Sequence, residues 1–446
     1  MTADAEPRAD AARALHRVVW GNKTLDQATI VADMAPLTTE ILYGCLRHFY
    51  SLSTSVNRAL KKPLKPKDHI VWCLMLVGAY QRFHMRIPDH AAIYETVSAS
   101  KRLSRPWAKG LVNAVLRNMP PPERSLEHPE WMSALIRSQY GNDADAIMLA
   151  NNERAPMCLR INASQISSSD YEQLLTESDI PFRGRTNSIV RDGQPLSTGP
   201  ETLILEAAIP ASRLPGYDAG LVSIQDAGAQ FAPFLMEAKA GSRLLDACAA
   251  PGGKLCHLLE RFPNQKITAL ESSPRRLAHL RSEVDRLRLA VPGKGAEPDA
   301  GPDSPSDRLQ IRAADATDLS WWDREQFGQI LLDAPCSGSG TLRRHPDIKI
   351  LRKPSDLDSY AALQFSLLAN LWHVLEPGGT LLYCTCSIFA KENDDVIARF
   401  MRAEPDAEQR PFELDSGHPT RFGWQLLPTD TDTDGFYYSR LSKVPR

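Results

Sequence analysis

Five apolar stretches of strand length follow one another between Arg243 and Ser387, and each carries an acid or a thiol at or near its end. They are RLLDACA (243–249), KITALE (266–271), LQIRAADA (309–316), QILLDAP (329–335) and GGTLLYCTCS (378–387). Nearly unbroken apolar strands, most of them followed by helix-length segments, are buried on both faces, which is the pattern of a parallel sheet wrapped by helices. Ligands of such a sheet collect beyond the carboxyl ends of its strands. The chain is therefore expected to place Asp246, Glu271, Asp315, Asp333, Cys336 and Cys386 along one sheet edge.

The other parts of the 446-residue chain read differently. Residues 1–141 repeat apolar positions at three- and four-residue spacing, as in Ile41, Leu42, Cys45, Leu46 and Phe49, which predicts an all-helical domain. Breakers at KKPLKPKD (61–68), Ile87-Pro88, Arg105-Pro106 and Met119–Pro122 divide it into short helices, and RLSRPWAKGLVNAVLRN (102–118) suits a helix with one basic edge. Residues 142–220 hold short strand signals, CLRIN, NSIVRDG and ETLILEA, around a helical YEQLLTE, so a small α+β linker domain is expected. Residues 221–446 form the α/β domain, interrupted at 291–307 by a Pro-, Gly- and Asp-rich run that reads as a disordered insertion. The fold class is thus multidomain: all-α, then α+β, then a Rossmann-like α/β domain.

Residues 1–140 hold 19 Lys and Arg against 12 Asp and Glu, a surplus of +7 inside a chain of net charge −2. Only this part is electrostatically suited to an anionic polymer. The longest apolar run, Val71–Tyr80, is about half of what crosses a bilayer; no charged-then-apolar leader opens the chain, and a cytoplasmic protein without membrane contact is expected. Eight cysteines are too sparse for a disulfide scaffold, and no pair of CxxC knuckles offers a metal site.

The chemistry is read from three motifs. LLDACAAPGGK (244–254) is a buried strand, an acid, small residues and two glycines opening a helix; it matches neither GxGxxG nor a phosphate-cradling loop. Glu271 ends the next strand, where an acid accepts hydrogen bonds from ribose hydroxyls, and Asp315 ends a third, where it can receive an exocyclic amine. Three acids with no arginine for a pyrophosphate favour a cofactor with ribose and adenine but no phosphate, as in S-adenosylmethionine. Taken singly, each acid is also an ordinary helix cap or turn. LLDAPCSGSG (331–340) and LLYCTCS (381–387) then add the thiols Cys336 and Cys386, while Cys45, Cys73, Cys158 and Cys384 read as small buried hydrophobes. Two thiols beside such a pocket suggest carbon methylation of a pyrimidine. C5 of cytosine becomes nucleophilic only after a thiolate adds to C6, Asp333 can serve N3, and a second thiol can assist proton removal or release. Spacing alone leaves open which thiol attacks. The attacking thiol needs a proton acceptor or a lowered pKa, for which Lys254 and the helix end after the glycines are the candidates.

These motifs, with RRHPDIK (343–349) and ENDDV (392–396) downstream, resemble those of the RNA cytosine-5 methyltransferases of the RsmB/NOP class. The resemblance extends over nearly the whole chain, and LTTEILYGCLRHFYSL is similar to the antitermination factor NusB. It implies S-adenosylmethionine bound by Ala249, Ala250, Pro251, Gly252, Gly253 and Lys254 with Glu271, Asp315 and Asp333. It also implies Cys386 as the thiol that attacks C6, Cys336 as the aid to product release, and 16S ribosomal RNA, naked or in an early assembly intermediate, as the substrate of a monomeric enzyme. The family often has Asp where Glu271 stands. A transfer RNA methyltransferase is an alternative, as is a non-catalytic RNA-binding assembly factor, which both thiols and the glycine pair speak against.

Overall fold

A computed structural model of the chain describes residues 7–29, 34–196, 199, 201–237, 239, 241–289, 308–430 and 432–445, so the expected insertion at 291–307 lies outside the described residues. There are two compact units, Met1–Arg154 with Leu342–Pro354, and Ala155–Thr341 with Ser355–Arg446.

The first unit is helical, as its apolar spacing predicts. Its longer helices begin with α1 (Pro7–Val19), α2 (Pro36–Arg47), α3 (Phe49–Ala59), α4 (His69–His84), α5 (Asp89–Arg102) and α6 (Lys109–Asn118). The run Val71–Tyr80 falls within α4, which is buried continuously from Val71 to Gln81. A helix apolar on every side is the central member of a bundle, and α4 takes that place here. No helix among the described residues is long and apolar enough to cross a membrane. All four breakers fall between or after helices. The basic-edged helix at 102–118 is not formed: Ser104, at φ +56°, and Pro106 separate α5 from α6, and Arg105 turns to Asp68 at 3.4 Å.

The RRHPDIK segment belongs to this helical unit. Lys349 is 1% exposed, and its Nζ donates to Asn152 Oδ1 at 2.7 Å and to the Arg47 carbonyl at 3.0 Å. The Asp347 carboxylate accepts the Leu25 N–H at 2.8 Å, and the Tyr50 hydroxyl donates to the Lys349 carbonyl at 2.9 Å. Burial lowers the Lys349 ammonium to about 7, with Glu127 opposing.

The second unit opens with an antiparallel sheet in the order Phe182–Thr186, Glu201–Leu205, Met157–Ile161, Val222–Ile224. Tyr171 and Leu175, on one face of the helix Ser168–Glu177, share a core with Leu159 and Leu203. CLRIN and ETLILEA supply strands as expected. NSIVRDG supplies Ile189–Arg191, which pairs with Phe412–Leu414 instead of this sheet. Phe182–Thr186 is half polar and Val222–Ile224 is three residues long, so neither carries an alternation signal; pairing alone makes them strands.

The larger sheet contains β1 (Arg243–Asp246), β2 (Lys266–Glu271), β3 (Leu309–Ala313), β4 (Phe327–Asp333), β5 (Leu375–Thr385) and β6 (Phe436–Lys443). Their order is β6-β5-β4-β1-β2-β3, with β1 to β5 parallel and β6 antiparallel to β5. The antiparallel β6 is absent from the purely parallel expectation. Beside it, β5 is no longer an edge and stays buried from Thr380 to Thr385.

Glu127 tests the helical unit. Its Oε2 accepts the N–H groups of Tyr50 at 2.9 Å and Ser51 at 3.2 Å in the first turn of α3. Glu127→Ala should cost about 1–2 kcal/mol, the usual value of a lost helix cap, measured by urea unfolding. A loss under about 0.3 kcal/mol would show that the cap is not satisfied in this way.

Candidate active site

The carboxyl ends of β1, β2, β4 and β5 lie side by side because the strands are parallel and in register: Asp246 is level with Leu331 and Ala269, and Asp333 with Cys384. After Asp246 the chain turns through Ala247–Gly252 into the helix α7 (Gly253–Arg261). Gly252 has φ +115°, and a Cβ there would stand 3.0 Å from Leu280 Cδ1, so both conformation and space favour glycine. The Ala249 N–H donates to the Leu270 carbonyl at 3.0 Å, fixing the turn against β2.

Asp246 is fully buried, and neither carboxylate oxygen meets a well-formed hydrogen-bond partner within the described structure. Burial first, and the Asp333 carboxylate second, push it up to about 8 against the pull of Lys254 and of the nearby Cys248 N–H. A buried acceptor left in this condition is rare in a native fold and marks a place for a ligand group. Glu271, 4% exposed, accepts the Ser273 N–H at 2.8 Å and stands 3.5 Å from Arg276. Asp315 lies two residues past β3, where its Oδ1 accepts from the Thr317 N–H at 2.8 Å and hydroxyl at 2.7 Å. Glu271 and Asp315 open on one cavity together with Ala247, Cys248 and Pro335. Pro251, Gly252 and Gly253 open on another, shared with Arg160, Gln225 and Cys256, while Ala249 and Ala250 are buried.

At the other end of the edge, Lys254 donates to Asp333 Oδ2 at 2.7 Å, and the Cys384 thiol lies 3.4 Å from Asp333 Oδ1. Burial alone would lower Lys254, but the Asp333 carboxylate overrides it and raises its pKa well above the ordinary lysine value. Lys254 is thus a fixed cation at this site. Cys384, expected to be an inert hydrophobe, touches the same carboxylate. The Cys336 and Cys386 sulfurs are 3.3 Å apart, and both are free thiols. The contact with Cys386, then burial, then the Glu392 charge hold the Cys336 pKa well above normal.

Glu392, at the head of ENDDV, is the residue that sequence reasoning left without a role. It is completely buried and accepts from the Ser337 N–H at 2.7 Å, the Ser337 hydroxyl at 2.6 Å and the Ser387 hydroxyl at 2.6 Å. Ser337 follows Cys336 and Ser387 follows Cys386, so one carboxylate holds both thiol loops. The Gly340 N–H donates to the Cys386 carbonyl at 2.9 Å, and a Cβ on Gly340 would meet the Gly435 carbonyl oxygen at 2.0 Å. The loops are therefore packed backbone to backbone.

Residues 233–442 match the family described as 16S rRNA methyltransferase RsmB/F, residues 5–120 the NusB family, and residues 128–193 the RsmF/B-like ferredoxin-like domain. The chain is 39% identical to the Ribosomal RNA small subunit methyltransferase B of Pseudomonas putida, over 98% of each chain. It is 38% identical to the protein of the same name from Vibrio cholerae, over 98% of this chain and 97% of that one. The solved structure of a methyltransferase homolog protein from Pyrococcus horikoshii covers 72% of this chain and 96% of its own, at TM-score 0.57 and 26% identity.

Two outcomes test this geometry. The folded value of Asp246, about 8, lies above the ordinary 3.8, so its stabilising contribution is complete below the lower value and is lost as pH rises through the higher. Between about pH 5 and about pH 9 the free protein should lose on the order of 2–4 kcal/mol more stability than Asp246→Asn, measured by denaturant unfolding; parallel curves would remove the perturbation. Glu392→Ala strands three buried donors and should cost roughly 2–4 kcal/mol, whereas Glu392→Gln, which keeps an acceptor, should cost less. A loss under about 0.5 kcal/mol in Glu392→Ala would mean that the carboxylate is not the tie.

Proposed function

The chain belongs to the 16S rRNA methyltransferase RsmB/F family, and from that membership we propose that it methylates C5 of a cytosine in 16S ribosomal RNA through a covalent cysteine adduct. The observation that carries this reading is the 3.3 Å thiol pair held at the sheet edge beside the Asp333–Lys254 ion pair. S-adenosylmethionine, when bound, supplies the electrophilic methyl group. The residues fit it: Asp246 offers a buried, unsatisfied acceptor, Gly252 lets backbone approach closely, and Glu271 and Asp315 offer acceptors for ribose and base. In this reading Ala249, Ala250, Pro251, Gly253 and Lys254 complete the cofactor loop.

The chain's own residues divide the remaining work. The Cys386 thiolate adds to C6, breaking the aromaticity of the ring and making C5 nucleophilic. A proton taken up at N3 from solvent neutralises the charge that the addition creates, and the resulting N3–H donates to the Asp333 carboxylate, which Lys254 holds in place. After C5 has accepted the methyl group, a base removes the C5 proton, the electron pair re-forms the C5–C6 double bond, and Cys386 leaves as thiolate. Cys336, in contact with Cys386, assists that release. Lys254, as a paired cation, orients Asp333 and does not accept the thiol proton. In this reading residues 1–141 are the RNA-binding part, 142–220 the α+β part and 221–446 the methyltransferase part, with Leu342–Pro354 lent to the helical unit, and the enzyme works as a cytoplasmic monomer on naked RNA or an early assembly intermediate. A transfer RNA substrate is disfavoured by the relatives' names.

Denaturing electrophoresis of single variants with 16S RNA and cofactor tests the assignment. Cys336→Ala should trap RNA as a detergent-resistant adduct, and Cys386→Ala should form neither adduct nor product. The reverse pattern would exchange the roles, and turnover in both variants would sink the covalent mechanism. Mapping of 5-methylcytosine after incubation of the native protein with separated ribosomal and transfer RNAs checks the substrate class.

A further inference from the structure

The helical unit contains an aromatic cavity of about 530 Å³, lined by Trp20, Phe49, Asn57, Leu64, His69 and Trp72 among others. Its volume is that of a small-molecule site. Trp20 is 49% exposed, unusual for the largest apolar side chain, yet the ring is not loose. One face stacks on His69 with centroids 3.7 Å apart and 23° between planes, and its edge meets Trp72 at 6.1 Å. Trp72 is fixed in turn by its Nε1 donating to Asn57 Oδ1 at 2.8 Å. A rigid aromatic ring with an exposed surface is a stacking platform.

The loop that closes this cavity is KKPLKPKD. Leu60, Pro63 and Leu64 line it, while Lys61, Lys62, Lys65 and Lys67 on the same loop are exposed. Asp68, the acid of that run, is engaged by Arg105. An apolar floor for a protein partner would not need a rim of four lysines, whereas an aromatic platform rimmed by cations is the chemistry that receives a base and its flanking phosphates.

We propose that this cavity takes one unstacked base of single-stranded RNA, stacked near Trp20, with the lysines of residues 61–67 on the adjoining phosphates. The site rests on the reading of the substrate as RNA and lies in a different unit from the thiols. It gives the basic surplus of residues 1–140 a specific location, away from the 102–118 stretch to which the sequence pointed.

The test uses the full chain and a labelled eight-nucleotide oligoadenylate, read by fluorescence anisotropy. Trp20→Ala should weaken binding about 5- to 150-fold, the usual effect of removing one stacking ring. Trp20→Phe should restore most of it, and Trp20→Leu should not. Replacing Lys61, Lys62, Lys65 and Lys67 by Gln should flatten the dependence of log affinity on log salt by about 0.7 for each phosphate no longer neutralised. Unchanged affinity in Trp20→Ala, or full restoration by Trp20→Leu, overturns the proposal; the latter would mark an apolar groove for protein. The octamer contains no cytosine, so its binding is independent of methyl transfer. Failure of the native protein to methylate ribosomal RNA would overturn the enzymatic reading and leave this result standing.

Discussion

Arg160 anchors the second unit. It sits on Met157–Ile161 with a side chain only 3% exposed, and acceptors meet its guanidinium on every side. Nε and Nη2 grip Glu260 at 3.0 and 2.7 Å, Nη2 also reaches Ser223 at 3.3 Å, and Nη1 reaches Gln225 and the Gly253 carbonyl, both at 2.6 Å. A guanidinium taken out of water is tolerated only when every donor is met, and removal of one partner leaves a buried charge worth several kcal/mol. Glu260 and Gly253 both lie on α7 (Gly253–Arg261), directly behind the glycine turn. The small antiparallel sheet is therefore more than a linker: it fixes the glycine turn from behind.

The edge in front of that loop is organised by charge. Lys254 neutralises Asp333 and leaves Asp246 buried without an ion-pair partner of its own, so the site contains one satisfied acid and one that is not. Cys336 and Cys386 are held against each other by the Glu392 carboxylate, which binds the serines beside them, and by the Gly340 N–H on the Cys386 carbonyl. Chemistry and stability are thus in tension at this edge. The acids and thiols that burial penalises are held in place by the same dense hydrogen bonding that makes the loops rigid.

Much of this edge was legible in the sequence, for a physical reason. Parallel strands buried on both faces must be apolar, so an acid or thiol at the end of such a run is conspicuous, and Asp246, Glu271, Asp333, Cys336 and Cys386 all announce themselves. Gly252 is readable because a tight turn leaves few alternatives to glycine. Glu392 is not readable, since an acid in KENDD resembles a solvated helix start and its burial depends on the Ser337 loop, 55 residues earlier in the chain. Arg160 is hidden likewise inside an apolar strand motif, and the isolation of Asp246 depends on what its neighbours do with their own hydrogen bonds. Trp20 carries no local signal that half of it is exposed beside an aromatic cavity. Local pattern reports which face a residue prefers; it does not report contacts across hundreds of residues.

The placement of Leu342–Pro354 within the helical unit bears on how the protein is made. Residues 7–154 leave the ribosome first, yet the position that Lys349 fills beside Arg47 and Asn152 stays vacant until nearly two hundred further residues have been synthesised. At ordinary elongation rates that delay is roughly 10–40 s. During that interval the nascent bundle exposes surface later covered by Ile350 and Leu351. The helical bundle thus stays incomplete through the synthesis of most of the second unit, and translation of the thiol loop at Cys336 immediately precedes the segment that completes it.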